Sequence, residues 1–109
     1  MGFAEISVHD AKALLEGPNP PLLVDCREES EYGICHLEDA ILIPFPHFMR
    51  DAMALLTDRS KPIIIICHHG VRSAYAADFL TQLGYEDVRT VAGGIEAWAT
   101  EIDPSMRHY

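Results

Sequence analysis

The sequence predicts an α/β protein with a central, mostly parallel five-stranded sheet flanked by helices on both faces. Three observations point there. Apolar runs of strand length alternate with segments of helical period, as in strands joined by crossover helices. The run Ile63-Ile64-Ile65-Ile66 is wholly apolar and β-branched, which suits a strand buried on both faces. The 109 residues suit one domain, 1–109, large enough to bury a core without disulfide staples.

Each element has a local reason. Ala4–Ile6 reads as a short strand, and Ser7 as the N-cap of a helix with Val8, Ala11, Leu14 and Leu15 on one face. Gly17-Pro18 stops that helix. Leu22–Cys26 is a second apolar run, followed by Arg27 and a polar loop or short helical turn over Glu28–Tyr32. Ala40–Ile43 reads as a third strand, stopped by Pro44. A helix is expected over Pro46–Leu56, burying Phe48, Met49, Ala52, Met53 and Leu56; the Met and Phe stripe reads as core. Ile63–Ile66 is the fourth strand. A helical pattern follows from Ala74 to Leu83, and Gly84 marks its end. Val88–Val91 is the last strand, and a closing helix begins after the turn Ala92-Gly93-Gly94. Asp103-Pro104 ends it, leaving Ser105–Tyr109 as a tail.

The chemistry gathers after the fourth strand, in Cys67-His68-His69-Gly70-Val71-Arg72-Ser73. A loop from a strand's C-terminal end to a helix N-terminus lies at the edge where open α/β sheets bind ligands. Unpaired amides at a helix start favour negative charge. A free cysteine with pKa ~8.5 is only about 3% thiolate at neutral pH, whereas cysteines at helix N-termini fall to ~3.5–7.5. Arg72 adds a fixed charge with a planar fork of donors, and Gly70 lets the backbone bring its amides close. A lone cysteine after a buried strand is usually a small core hydrophobe. Gly70, Arg72 and Ser73 at close spacing favour a nucleophile in an anion-binding cradle. Asp25 and Arg27 end the second strand at the same edge. Either they help shape the site, or Asp25 caps nearby backbone and Arg27 pairs with a local glutamate.

Composition narrows the partners. The net charge of −9 argues against nucleic acid and anionic membranes. No apolar run approaches the ~20 residues of a membrane span. Met1–Glu5 shows no basic or apolar region of a signal peptide. The three cysteines, Cys26, Cys35 and Cys67, are odd in number and lack CxxC spacing, which argues against a disulfide framework and makes a reducing cytoplasm the expectation. Cys35-His36 and Cys67-His68-His69 do not match structural-zinc spacings, so no metal is expected. With no GxGxxG or GxxxxGK[ST], nucleotide binding has no support and no cofactor is expected.

Three blocks in order resemble a rhodanese, the single-domain sulfurtransferase family, over nearly the whole chain. They are Leu23-Val24-Asp25-Cys26-Arg27-Glu28 continuing through Glu31-Tyr32, His36-Leu37 and Ala40–Pro44; the Cys67–Ser73 loop; and Ala92-Gly93-Gly94-Ile95-Glu96-Ala97-Trp98. The resemblance implies a rhodanese-like fold and a Cys67 thiolate that takes the outer sulfur of a small anionic donor such as thiosulfate. The persulfide formed would be held by the amides of His68, His69, Gly70, Val71, Arg72 and Ser73, then passed to cyanide, a thiol or a sulfur-carrier protein. Arg72 would brace the loop or reach a nearby carboxylate. His68 and His69 would orient donor or acceptor, or else face solvent or cap the loop. Nothing demands more than a monomer or weak homodimer. Six residues from Cys67 to Arg72 match rhodaneses; phosphatases sharing the fold carry one more, so phosphatase or arsenate reductase chemistry ranks lower. A non-catalytic rhodanese-like binding module is the other reading, although such modules commonly lose the cysteine. The chain departs from the family pattern at Cys26, Cys35 and Glu38-Asp39; Cys35 either packs or resolves a Cys67 persulfide.

Overall fold

A computed structural model describes residues 2–109. Its five strands are β1 Phe3–Ile6, β2 Leu22–Asp25, β3 Ile41–Leu42, β4 Ile63–Ile66 and β5 Val88–Val91. The helices are α1 Val8–Leu15, α2 Glu29–Ile34, α3 Phe48–Leu55, α4 Val71–Gln82 and α5 Gly94–Glu101. The sheet runs β1-β5-β4-β2-β3 and every pairing is parallel.

β4 lies at the centre and its four isoleucines are each at most 1% exposed. Side chains alternate across a strand. Ile63 and Ile65 enter the core under α3 and α4, with Phe48, Ala52, Ala76 and Leu80. Ile64 and Ile66 enter the core under α1 and α5, with Val8, Ala11, Ile95 and Trp98. Burying each of these isoleucines contributes about 2 kcal/mol at the upper bound set by an extended-chain reference. Ser7 caps α1 as the sequence indicates, its Oγ accepting from the Asp10 amide at 3.0 Å.

Several expectations need correction. β2 ends at Asp25 and β3 keeps only Ile41 and Leu42, although the Cys26 amide still donates to the Ile66 carbonyl at 3.0 Å and the Ile43 amide to the Asp25 carbonyl at 2.9 Å. The segment after Arg27 is a helix, closed by a capping box in which Glu31 accepts from the Glu28 amide at 2.9 Å. A 3₁₀ turn over Phe45–His47 precedes α3. In that helix Phe48, Ala52 and the following Leu56 are buried, while Met49 is 71% and Met53 47% exposed. The i, i+4, i+8 row alone meets the sheet, and the methionines sit about 100° around the axis. α4 starts at Val71 instead of Ala74, so Arg72 and Ser73 belong to its first turn.

Candidate active site

β4 feeds α4 on one face of the sheet, and its neighbour β5 feeds α5 on the other. The two connections diverge there at the carboxyl edge, the usual ligand position in such sheets. Cys67 is the first residue beyond β4. The turn after it depends on Gly70, the N-cap of α4, whose φ of 106° L side chains rarely adopt. That turn brings the Gly70 amide to 3.0 Å and the Ser73 amide to 3.4 Å from Cys67 Sγ. Ser73 Oγ lies 3.4 Å from the sulfur and 3.2 Å from the Gly70 carbonyl. The thiol donates to Ser73 Oγ, and on ionisation the hydroxyl can turn its proton to the sulfur.

These donors make the sulfur acidic. The adjoining Cys26 thiol has the largest effect; burial opposes it, and the Ser73 hydroxyl and the Ser73 and Gly70 amides add to it, drawing the Cys67 thiol down to about 5. Cys26 responds in the opposite sense. The Cys67 sulfur beside it, then its own burial, push its thiol up, so the charge of the pair rests on Cys67.

The β5–α5 turn holds the other side of the loop. The Ile95 amide donates to the Cys67 carbonyl at 2.8 Å and the Glu96 amide to the His68 carbonyl at 3.1 Å. Gly94 makes this approach feasible, since a Cβ there would lie 2.3 Å from the Cys67 carbonyl oxygen.

Arg72 reaches a carboxylate instead of the sulfur. Its Nη1 and Nη2 donate to Glu31 Oε1 and Oε2 at 2.6 and 2.9 Å. Arg72 chiefly, with the Glu28 amide and Tyr109 hydroxyl also donating against the cost of burial, holds the Glu31 carboxyl down at about 2. Asp25 and Arg27 act one layer deeper. Both are fully buried and joined by a bidentate pair, with Nη2 to Oδ2 at 2.8 Å. Asp25 also accepts from the Arg27 amide at 3.0 Å, so it does cap local backbone. Of the two readings of Arg27, the pairing with a glutamate side chain does not form: the guanidinium takes Asp25, the Glu31 and Cys35 carbonyls and the Tyr109 hydroxyl. Burial works against its charge, and Asp25 and Tyr109 outweigh it. Through these bonds Arg27 fixes α2, and α2 carries Glu31 to Arg72.

His68 is sandwiched between His69 and Tyr109, with ring centroids 3.9 Å apart on each side, and its Nε2 lies 3.4 Å from Glu96 Oε1. His69 and Val71 are exposed. The tail therefore belongs to the site, which sequence periodicity did not indicate. Tyr109 accepts from Arg27 at 2.8 Å and donates to Glu31 at 3.0 Å, while His108 bonds Glu96 at 2.8 Å. Glu31 carried one readable sign, its capping-box spacing from Glu28; Tyr109 carried none.

Among the described residues no cluster of three His, Cys, Asp or Glu side chains suits a metal, and no helix is long and apolar enough to cross a membrane. A cavity of about 590 Å³ lies among Lys12, Leu22, Lys61 and Trp98 at the other end of the strands, away from Cys67.

The Rhodanese-like domain family matches residues 7–101. A thiosulfate sulfurtransferase GlpE from Tolumonas auensis is 33% identical over 99 residues, covering 88% of this chain and 88% of that protein. An adenylyltransferase and sulfurtransferase MOCS3 from Oryza sativa subsp. japonica is 31% identical, covering 97% of this chain, which spans 26% of that larger protein. The crystal structure of a rhodanese-related protein from Thermoplasma volcanium superposes with a TM-score of 0.79 at 32% identity, covering 91% of this chain and 93% of that one. With its all-parallel sheet and its cysteine loop at the carboxyl edge beside β4 and β5, the chain belongs to the rhodanese-like domain family and is a sulfurtransferase.

Proposed function

We propose that the chain moves a sulfane sulfur from a small anionic donor, such as thiosulfate or a persulfide, to a thiophilic acceptor through a persulfide on Cys67. The observation that carries this reading is the set of donors converging on Cys67 Sγ, the amides of Gly70 and Ser73 and the Ser73 hydroxyl. They favour a thiolate at neutral pH and match a charge no larger than a sulfur atom.

The thiolate attacks the outer sulfur of thiosulfate, the S–S bond of the donor breaks, and sulfite leaves with the electron pair. The terminal sulfur on Cys67 then carries the negative charge. First-turn amides of α4, which lack partners within the helix, stabilise it as an oxyanion hole stabilises oxygen. A cyanide, thiol or sulfur-carrier protein attacks that terminal sulfur and restores the Cys67 thiolate, giving ping-pong kinetics. Arg72 is committed to Glu31, so it braces the loop. A monomer suffices, because the loop, Glu31 and Tyr109 all come from one chain.

Intact-mass measurement after thiosulfate treatment tests the proposal. The expected result is a gain of one sulfur, reversed by cyanide, and absent in Cys67→Ser along with turnover. A Cys67→Ser chain that still transfers sulfur, or a wild-type chain that never gains it, overturns the proposal; the latter result favours a docking module.

A further inference from the structure

We propose that Cys26 is a second reacting thiol, which attacks the inner sulfur of the Cys67 persulfide, closes a Cys26–Cys67 disulfide and releases sulfide. This rests on the persulfide reading above and adds an activity to it, discharge of the stored sulfur without an external acceptor.

The sheet places the two sulfurs together. Val24 pairs with Ile65 and Asp25 with Ile66 in the β2–β4 ladder. One step further the strands carry Cys26 and Cys67, and the Cys26 amide still donates to the Ile66 carbonyl at 3.0 Å. Alternation puts Cys26 on the face of Val24 and Cys67 on the face of Ile65. Both cysteines do lie in that one core, at 0% and 1% exposure. Neighbouring strands run ~4.7–4.9 Å apart, within the ~4.4–6.8 Å between Cα atoms that a disulfide spans. Cys35, the resolving candidate from sequence, packs instead against the core on the opposite face of the sheet. The register therefore moves that role to Cys26.

The step balances without an added oxidant. Cys67–S–S⁻ and Cys26–SH give Cys67–S–S–Cys26 and HS⁻. A bond forms between the two Sγ atoms, the bond from Cys67 Sγ to the terminal sulfur breaks, and the Cys26 proton leaves with the sulfide. The two cysteines are oxidised and the sulfane sulfur is reduced. In the resting pair the Cys67 sulfur and burial both raise the Cys26 thiol, so Cys26 enters the step protonated and hands its proton to the departing terminal sulfur. A thiol is a poorer nucleophile than a thiolate, so the discharge is slower than capture of the sulfur by an external acceptor. A small dithiol returns the disulfide to the resting pair.

The test mixes the full chain with thiosulfate, free of cyanide and added thiol, and follows trapped sulfide, intact mass and disulfide-linked peptides. The expected wild-type course is a persulfide that decays with release of one sulfide per chain, ending two hydrogens lighter than the reduced protein, with residues 26 and 67 linked. Dithiothreitol then makes sulfide release catalytic. Cys26→Val loads more slowly, having lost the thiol that does most to ionise Cys67, but once loaded it holds the persulfide and releases no sulfide; Cys26→Ser, whose hydroxyl can still donate, does the same and serves if the valine variant fails to fold. Cys35→Ser follows the wild-type course. A wild-type persulfide as long-lived as that of the Cys26 variants, or a linkage to Cys35, overturns the role of Cys26 while leaving sulfur transfer intact. If neither the wild type nor a folded Cys26 variant gains sulfur, both readings fall.

Discussion

Removing the Ser73 hydroxyl measures how far the loop itself ionises Cys67. Ser73→Ala takes away one of the donors around the sulfur and leaves the Gly70 and Ser73 amides at 3.0 and 3.4 Å. A hydrogen bond to a charged acceptor contributes about 1.5–3 kcal/mol. At 3.4 Å the Ser73 hydroxyl belongs at the low end of that range. One pKa unit corresponds to about 1.4 kcal/mol, so the Cys67 midpoint should rise by roughly one unit from its value of about 5. Below the midpoint the thiol is protonated and alkylates slowly; above it the rate reaches a plateau. Iodoacetamide rates across roughly pH 4–9, spanning both the lowered and the ordinary cysteine range, resolve the shift. A Cys35→Ser background removes the partly exposed second thiol, and Cys26, its thiol pushed up by the Cys67 sulfur and by burial, stays protonated across this range. A wild-type midpoint near the ~8.5 of free cysteine, or identical profiles for the two proteins, refutes the cradle.

Gly94→Ala should lower stability by about 3 kcal/mol, since a Cβ at φ 59° is strained and meets the Cys67 and His68 carbonyls at 2.3 and 2.5 Å; urea titration checks it, and sulfur transfer should fall as the loop shifts. Glu31→Gln should cost about 1–2 kcal/mol at neutral pH, allowing for solvent screening. The Glu31 carboxyl titrates lower in the folded chain, so its contribution is present above the unfolded value and lost as pH falls toward about 2. Denaturation curves of variant and wild type should therefore converge between roughly pH 4.5 and 2.

What the sequence revealed followed periodicity and local punctuation. Four isoleucines bounded by Pro62 and Cys67 mark a central strand, and the short step from Cys67 to Ser73 marks the cradle. Apolar spacing begins at Ala74, whereas the left-handed Gly70 starts α4 three residues earlier, at Val71. Met49 and Met53 read as core because hydrophobicity does not say which of two adjacent rows a short helix buries. Arg27 finding Asp25, and Tyr109 crossing the chain to Arg27 and Glu31, rest on tertiary closure that no local pattern encodes.

The sealed Asp25–Arg27 pair has a consequence for altering this enzyme. Losing either partner strands a full charge in the interior, which typically costs about 3–5 kcal/mol. Swapping both for apolar residues spares that charge but unfastens the Glu31 and Cys35 carbonyls and the Tyr109 hydroxyl together. Positions 25 and 27 are thus a single unit for the protein engineer, and efforts to retune selectivity have more freedom at the solvent-facing His69 and Val71.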